Sequence, residues 1–424
     1  MKYVEIRELG EIITGKTPPT ENQSFYDGDY PFITPTDIES FDKKYLCSTE
    51  RTLSSLGVKK VKSCKLPAKS ICFVCIGSTI GKMCMTNCES YTNQQINSVI
   101  PNKRCDNDYL FYYLRYVNEY FRSIGAGTGS GKGIVNKTVF SKTKIQINED
   151  KKEQKRIADI LSTYDELIEN NNKRIKILEQ LAENLYKEWF VRFRFPGHEK
   201  VKFVDSAIGL IPEGFAVLRM KDVIDDYIGG GWGNDDEDKK YSVGAFVIRG
   251  TDFPSVKKGD LFTCPFRYHK LSNYSARQLQ LNDIILEVSG GTAEQPVGRA
   301  IIVTENTLKR LGNKVICASF CKMLRLNTKI IQPNYFIYWM NYLYETRIID
   351  RFQLQSTGII NFKFEYFLRK GEVLLPTPKV MEAFACNIQQ LKNQIDKLAE
   401  ANQNLIKQRD MLLPRLMSGK LEVN

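Results

Sequence analysis

Four cysteines, Cys72, Cys75, Cys84 and Cys88, lie close together in the first quarter of the chain. Thiolates at short spacing can hold zinc. Periodicity argues against that here. Cys72 and Cys75 sit in an apolar, strand-like run, Ser70–Ile76, and residues three apart on a strand point to opposite faces. The later part of the chain has no matching set, so the thiols read as core residues and no metal is expected. Gly125–Gly133 (GAGTGSGKG) tempts as a phosphate loop. That pattern needs Gly where Ala126 stands and Ser or Thr where Gly133 stands, and it should follow a buried strand rather than an aromatic helix. Only two histidines exist, His198 and His269, too few for a histidine acid–base site of any elaboration. The acidic run Asp235–Asp238 lies in a Gly-rich stretch and reads as solvated. No Asn-Pro-Pro-aromatic motif and no dinucleotide fingerprint occur. The chain is expected to be non-catalytic and to hold no cofactor of its own.

What chemistry remains is binding. The 424 residues carry a net charge of +12 and a composition, 42% apolar and 26% charged, of a folded protein with more than one domain. The charge is placed unevenly: +5 on residues 1–149, zero on 150–199, +5 on 200–376 and +2 on 377–424. Two equally basic segments suit a polyanion such as nucleic acid. No apolar run nears the ~20 residues that cross a bilayer. The opening MKYVEIR lacks a signal-peptide core, and the eleven scattered cysteines argue for reduced thiols. A cytoplasmic protein that avoids membranes is expected.

The two basic segments repeat one another. Val4–Thr14 pairs with Ala216–Asp226, with Arg7 on Arg219. Pro31–Ile38 (PFITPTDI) pairs with Phe246–Phe253 (FVIRGTDF), and Gly81-Lys82 with Gly298-Arg299. An aromatic helix follows in each, Tyr109–Tyr116 and Tyr335–Tyr342. Gly133–Asn136 (GIVN) then pairs with Gly358–Asn361 (GIIN). The stretch Asn93-Gln94-Gln95 is replaced by Cys317-Ala318-Ser319. Short strand-like runs broken by Gly, Pro, Asn and Asp make each segment a mixed α+β fold.

Polar residues on the loops between those strands are the candidates for reading base edges. In the first segment they are Lys16, Thr17, Thr36, Ser78, Thr79, Lys82, Gln94, Ser130, Lys132 and Asn136. In the second they are Arg249, Thr251, Ser289, Arg299, Ser356, Asn361 and Lys363. Ser130 and Lys132 come from the Gly-rich loop, which reads either as a donor of contacts to DNA or as a plain linker. Asn136 and Asn361 also suit backbone-bonding turns, and Asp37 and Asp252 suit turns or caps. Tyr112, Tyr116, Tyr338 and Trp339 read as core.

Each segment leads into a long heptad helix. The first seam includes Leu161, Tyr164, Ile168, Asn171, Ile175, Leu178, Ala182, Leu185 and Trp189. The second includes Ile388, Leu391, Ile395, Leu398, Asn402, Leu405, Arg409 and Leu412. Pro414 is expected to end or kink the second helix. Helices on the order of 50 Å with one narrow stripe need a partner. One Asn stands in each seam, and a buried amide prefers another amide. Pairing Asn171 with Asn402 antiparallel sets Leu161 on Leu412, Ile168 on Leu405, Ile175 on Leu398, Leu178 on Ile395, Leu185 on Ile388 and Trp189 on Phe384. Tyr164 then meets Arg409. Pairing with a second protein or a second copy is the alternative.

The chain resembles the specificity subunits of Type I restriction-modification systems along its length. The carriers are Ile6–Thr17 (IRELGEIITGKT), Pro31–Ile38, Gln154–Leu161 (QKRIADIL), Glu188–Pro196 (EWFVRFRFP), Ile211–Phe215 (IPEGF) and Leu413–Gly419 (LPRLMSG). The resemblance implies two tandem target-recognition domains, 1–149 and 196–376. Two conserved helical regions, 150–195 and 377–424, would form an antiparallel coiled coil between them. It implies a sequence-specific, non-catalytic subunit that reads a bipartite site on double-stranded DNA, one half per domain. It also implies two modification (methyltransferase) subunits that carry S-adenosylmethionine, and restriction (translocase/nuclease) subunits. A single-chain methyltransferase or nuclease would need a cofactor or metal motif. A pure protein-interaction scaffold would not bind DNA in a salt-sensitive way.

Overall fold

The computed structural model describes residues 2–38, 43–46, 48–126, 133–257, 263–292, 295–356 and 359–423. The chain divides into two compact units, residues 1–173 with 401–424, and residues 174–400. The division falls inside the long helices. Their ends are part of the unit cores: Ile157, Leu161, Leu413, Leu416 and Met417 are buried in the first, and Ala182, Tyr186, Trp189, Phe384 and Ile388 in the second.

In the first unit, strands Gly10–Thr14, Ile96–Pro101, Ile71–Val74 and Met83–Met85 form a four-stranded sheet in that order. A three-stranded sheet is centred on Tyr26–Ile33, which pairs antiparallel with Arg51–Leu53 and parallel with Tyr91–Thr92. Lys2–Glu5 closes against Lys144–Ile147. The strand Ile71–Val74 is buried on both faces, so Cys72 enters one core and Cys75 the other, as alternation requires. The aromatic helix Asn107–Tyr116 buries Tyr109 to Leu114 without a break, and the Asp106 carboxylate caps it by accepting from the Tyr109 N–H.

The second unit repeats this plan. Ile224–Gly229, Cys321–Leu326, Ile284–Glu287 and Ala300–Ile302 make the four-stranded sheet. Val243–Ile248 pairs antiparallel with Phe266–His269 and parallel with Val315–Cys317, and Ala216–Arg219 closes on Glu372–Leu375. The aromatic helix is Pro333–Glu345. The hairpin Phe203–Ser206/Gly209–Pro212 has no counterpart among the described residues of the first unit, and the small sheet of Ser289–Gly291, Ile359–Phe362 and Gln353–Ser356 enlarges what is a single antiparallel bridge there, Ile76 with Ile134.

Backbone hydrogen bonds fix the repeat residue by residue, and they correct three of the sequence pairings. The Ile6 N–H donates to Thr143 O where the Met220 N–H donates to Gly371 O. Glu5, not Arg7, is therefore the match of Arg219. Strands alternate with a period of two, so a two-residue slip keeps every apolar residue on its face and is invisible to the pattern. A one-residue bulge at Ile224–Asp226 then offsets the second unit, and Gly15 and Gly230 match, donating to Ile96 O and Cys321 O. Next, Cys75 N–H bonds Gln95 O where Val288 N–H bonds Phe320 O. Asn93-Gln94-Gln95 thus corresponds to Ala318-Ser319-Phe320, one residue later than the sequence pairing. Finally, Val135 N–H bonds Cys75 O where Phe362 N–H bonds Val288 O, which matches Asn136 with Lys363 rather than Asn361. The pairings Pro31–Asp37 with Phe246–Asp252, and Gly81 with Gly298, agree with the bonds Asn93 N–H to Ile33 O, Ala318 N–H to Ile248 O, Gly81 N–H to Val74 O and Gly298 N–H to Glu287 O.

The long helices are Lys151–Tyr186, followed by a π-type turn at Lys187–Val191, and Pro378–Met417. Within the first unit, Asn171 donates to Asn402 at 2.9 Å, and Asn402 donates onward to Asn172 at 2.9 Å. Leu161 and Ile168 are buried there, while Leu405 and Leu412 are half-buried. Within the second unit, Trp189 meets Phe384 with ring centroids 5.9 Å apart. Ile388 is buried, Leu185 and Leu391 lie on the same core, and Ile175, Leu178, Ile395 and Leu398 are half-buried. The helix does not end at Pro414 but runs on to Met417. Proline removes one backbone bond and costs roughly 3 kcal/mol inside a helix. Burial of Leu413, Leu416 and Met417 offsets that loss.

Candidate nucleic-acid interface

The loops at one edge of the four-stranded sheet carry most of the residues singled out in the first segment. Gly15 begins the edge. A Cβ there would stand 2.2 Å from Thr92 O, so only glycine lets the chain pass. The next two residues turn outward: Lys16 is exposed, and the Thr17 hydroxyl donates to Gln94 Oε1 at 2.7 Å. Gly77, at φ +68°, bonds Gly133 O, and the turn Ile76–Thr79 is tied by the Thr79 hydroxyl on Ile76 O at 3.1 Å. Pro35, Ile76, Gly77, Ser78, Thr79, Gln95 and Gly133 line a cleft of about 410 Å³. Thr36 adjoins it, held by Thr34 at 2.7 Å. The turn is set by Asp37, which accepts from the Thr34 and Glu50 N–H groups, both at 2.7 Å. Thr17, Thr36, Ser78, Thr79 and Gln94 are thus brought to the loops of one edge. Lys82 is half-buried beside the strand. Asn136 caps the helix Lys137–Lys142 by accepting from Val139 N–H. Ser130 and Lys132 lie outside the described residues.

The second unit builds the same edge from other side chains. Gly230 again passes where a Cβ would strike Ala318 O at 2.1 Å. Trp232 follows in the place of Thr17, its ring under the Arg267 guanidinium at 4.5 Å. Asp252 repeats the role of Asp37 by accepting from Arg249 N–H at 2.9 Å, and its carboxylate also takes the Arg249 side chain, which holds that guanidinium firmly charged. Arg299 forks onto Glu287 at 2.8 and 2.6 Å and bonds Gly250 O at 3.0 Å. Both arginines therefore shape the loop that presents exposed Thr251. Ser289 donates to Asn361 at 2.6 Å across the small sheet, and Lys363 is exposed at the start of the helix Phe364–Lys370. The side chain of Ser356 is outside the description.

Sequence reasoning missed Gln95, which lines the cleft of the first unit, and two exposed aromatics at the second edge. Gln95 was passed over for Gln94, its neighbour in a polar run. Phe320 and Trp232 drew no reading, because the search for base contacts took polar loop residues alone. The available signal was position: both follow a glycine or small residue in a turn, not an apolar period.

A different set of polar groups fastens the first unit to its helices. Arg409 is fully buried and donates to Asp165 at 2.5 Å, and Asp165 also accepts from the Tyr112 hydroxyl at 2.5 Å. Burial and Asp165 together push the Tyr112 hydroxyl far above its ordinary range. Lys44 bonds Ser162 at 2.8 Å and Asp108 at 2.6 Å beside them. The sequence seam put Arg409 against Tyr164. Its buried partner is the next residue, Asp165.

Among the described residues no group of three or more His, Cys, Asp or Glu side chains is placed to hold a metal. Cys75 is pushed up to about 12 by burial, and Cys84 is raised by its buried neighbour Cys72. Both are buried thiols that the core holds in the protonated form. No described helix is long and apolar enough to cross a membrane.

Residues 1–180 match the family described as Type I restriction modification DNA specificity domain. The chain is 26% identical, over 99% of its length and 93% of the relative's, to the Type I restriction enzyme MjaIX specificity subunit of Methanocaldococcus jannaschii. A third of it is 37% identical to the HindI specificity subunit of Haemophilus influenzae, covering 30% of that protein. The fold is similar to that of the crystal structure of a Type-I restriction-modification S subunit from M. genitalium. That likeness has a TM-score of 0.53 and 13% identity, over 98% of this chain and 96% of that one.

Proposed function

The chain belongs to the specificity subunits of Type I restriction-modification systems, and on that premise we propose how it divides its work. Each unit reads one half of a bipartite site on double-stranded DNA through its loop edge. The observation that carries this is the repeat itself: one hydrogen-bonded frame, presented twice, with different side chains at matched positions of the edge. A protein reading a single symmetric sequence would keep the same residues in both. Two unlike edges suit two unlike half-sites.

The chain supplies recognition and no chemistry. The methyl donor, S-adenosylmethionine, is carried by two modification subunits that dock on it, and restriction subunits join for cleavage in the cytoplasm. The two long helices set how many base pairs go unread between the half-sites.

Methylation mapping in a host that expresses the chain with its modification subunit tests this. The expected result is a new split methylated motif with a fixed gap, and a shifted gap or lost methylation when one heptad is added to both helices. A soluble complex that methylates no split motif would favour a scaffold role instead.

A further inference from the structure

The two edges differ in chemistry at one pair of matched positions beside the cleft. Gln95 lines the cleft of the first unit, and Phe320 stands at the same place in the second. Phe320 is 64% exposed. Single exposed aromatics are ordinary on protein surfaces, so exposure alone says little. Its backbone says more. Phe320 O accepts from Val288 N–H at 2.9 Å, the flanking Cys321 N–H bonds Ala318 O at 2.8 Å, and Cys321 O takes Gly230 N–H at 2.9 Å. Three strands thus converge on a four-residue turn and hold the ring out with almost no backbone freedom. A turn already fixed in place has lost the backbone entropy that ordering it on contact would otherwise cost.

The surroundings fit the same use. Exposed Ser319 precedes the ring, Ser289 and positive-φ Gly290 stand where Ile76 and Gly77 stand in the first unit, and exposed Ile359 rises from the neighbouring strand. At the position where the first unit offers an amide to hydrogen-bonding edges, the second offers an apolar ring.

We propose that Phe320 contacts a base of the second half-site with its ring and fixes which base is accepted there. The inference rests on the reading of both edges as DNA-facing. The ring has two ways to act. It can cover a thymine methyl in the major groove, or it can enter between two base pairs and unstack them. The contact is apolar in both.

Phe320→Ala and Phe320→Gln, the second borrowing the residue of the first unit, test it in the complex with the modification subunit. Binding to the wild-type methylated site should weaken by roughly 5- to 150-fold, the span of a lost base contact. Methylation mapping should show one relaxed or altered position in the second half-site and an unchanged first half. Replacing thymine by uracil in that half-site reproduces the loss if the methyl is the target. A 2-aminopurine probe that brightens on binding, and stays dark with Phe320→Ala, marks insertion instead. The proposal is overturned if both variants methylate the wild-type motif with wild-type efficiency, or if binding falls equally on all sequences. If the wild-type complex has no split motif, the DNA reading itself fails, and these variants are not needed to show it.

Discussion

At matched turns the first unit presents Thr17 and Gln95, and the second presents Trp232 and Phe320. The frame beneath keeps the same backbone bonds at the matched positions. The glycines that let the chain pass, the aspartates that set the turn and the strand order are all kept. Fold and reading are therefore carried by separate residues, and the edge can change its chemistry without disturbing what holds it. A second contrast lies where the helices join each unit. The aromatic helices and long helices start in register, with Asp106 N–H on Gln154 and Gln332 N–H on Met381. That places Asp165 with Lys392 and Arg409 with Ala182. The first joint is a closed buried ion pair. The second is a cleft of about 560 Å³, lined by Glu179, Glu183, Lys257, Tyr338, Lys392 and Asp396 among others. One joint is locked, and the other has room.

The largest effect is expected where the lock is broken. Arg409→Ala leaves Asp165 buried without its cation, which costs about 3–5 kcal/mol. Guanidinium unfolding should show it as a lower midpoint. Replacing both partners, Asp165→Leu with Arg409→Leu, should recover most of the loss, because two apolar groups need no pairing. An Arg409→Ala protein within about 1 kcal/mol of wild type would mean that the pair holds nothing.

A smaller effect, of opposite sign, is expected at the second joint. Burial lowers Lys392 to about 8 and raises Asp396. A lysine depressed on folding sheds its proton earlier than in the unfolded chain. Its contribution to stability therefore rises with pH between about 8 and its ordinary value, and below 8 the full penalty applies. Lys392→Met should stabilise the protein at pH 7 by about 1–2 kcal/mol and flatten that rise. The lost bond to Asn334 at 2.6 Å keeps the gain from being larger. Denaturation midpoints from pH 7 to 10 decide it, and a Lys392→Met protein less stable at every pH would show the cleft to be a second lock.

Much of this was legible in the sequence, for reasons that also explain the misses. The heptads and the single Asn per seam carried enough constraint to place Asn171 on Asn402, since an orphaned amide is costly. The repeat was visible through Thr36-Asp37 and Thr251-Asp252, whose turn chemistry tolerates little change. Register within the repeat was not, because alternation with a period of two cannot detect a slip of two, as at Arg219, and a bulge leaves no mark in composition. Pro414 does not end the helix, because the burial of Leu416 and Met417 beyond it outweighs local propensity. Asp165 stayed hidden because it lies beside the seam, and only the helix geometry turns it toward Arg409. At the edge, Arg249 and Arg299 looked free in the sequence, while the fold gives each a carboxylate.

The smallest contrast separates capping from DNA contact. Asn136 and Lys363 occupy the same helix start, yet only Asn136 caps it with its side chain. Asn136→Ala should cost about 0.5–2 kcal/mol, and Lys363→Asn should gain up to a similar amount by supplying the missing cap. Thermal unfolding of the free chain reads both. If Lys363 is kept for a phosphate rather than for the helix, Lys363→Asn should stabilise the chain and still weaken DNA binding on every sequence, with a salt dependence shallower by about one ion. Asn136→Ala should do the reverse: it loosens the helix and leaves the salt dependence as it was. A Lys363→Asn protein that gains stability with unchanged binding would remove Lys363 from the reading edge and leave the two helix starts differing only in how well they are capped.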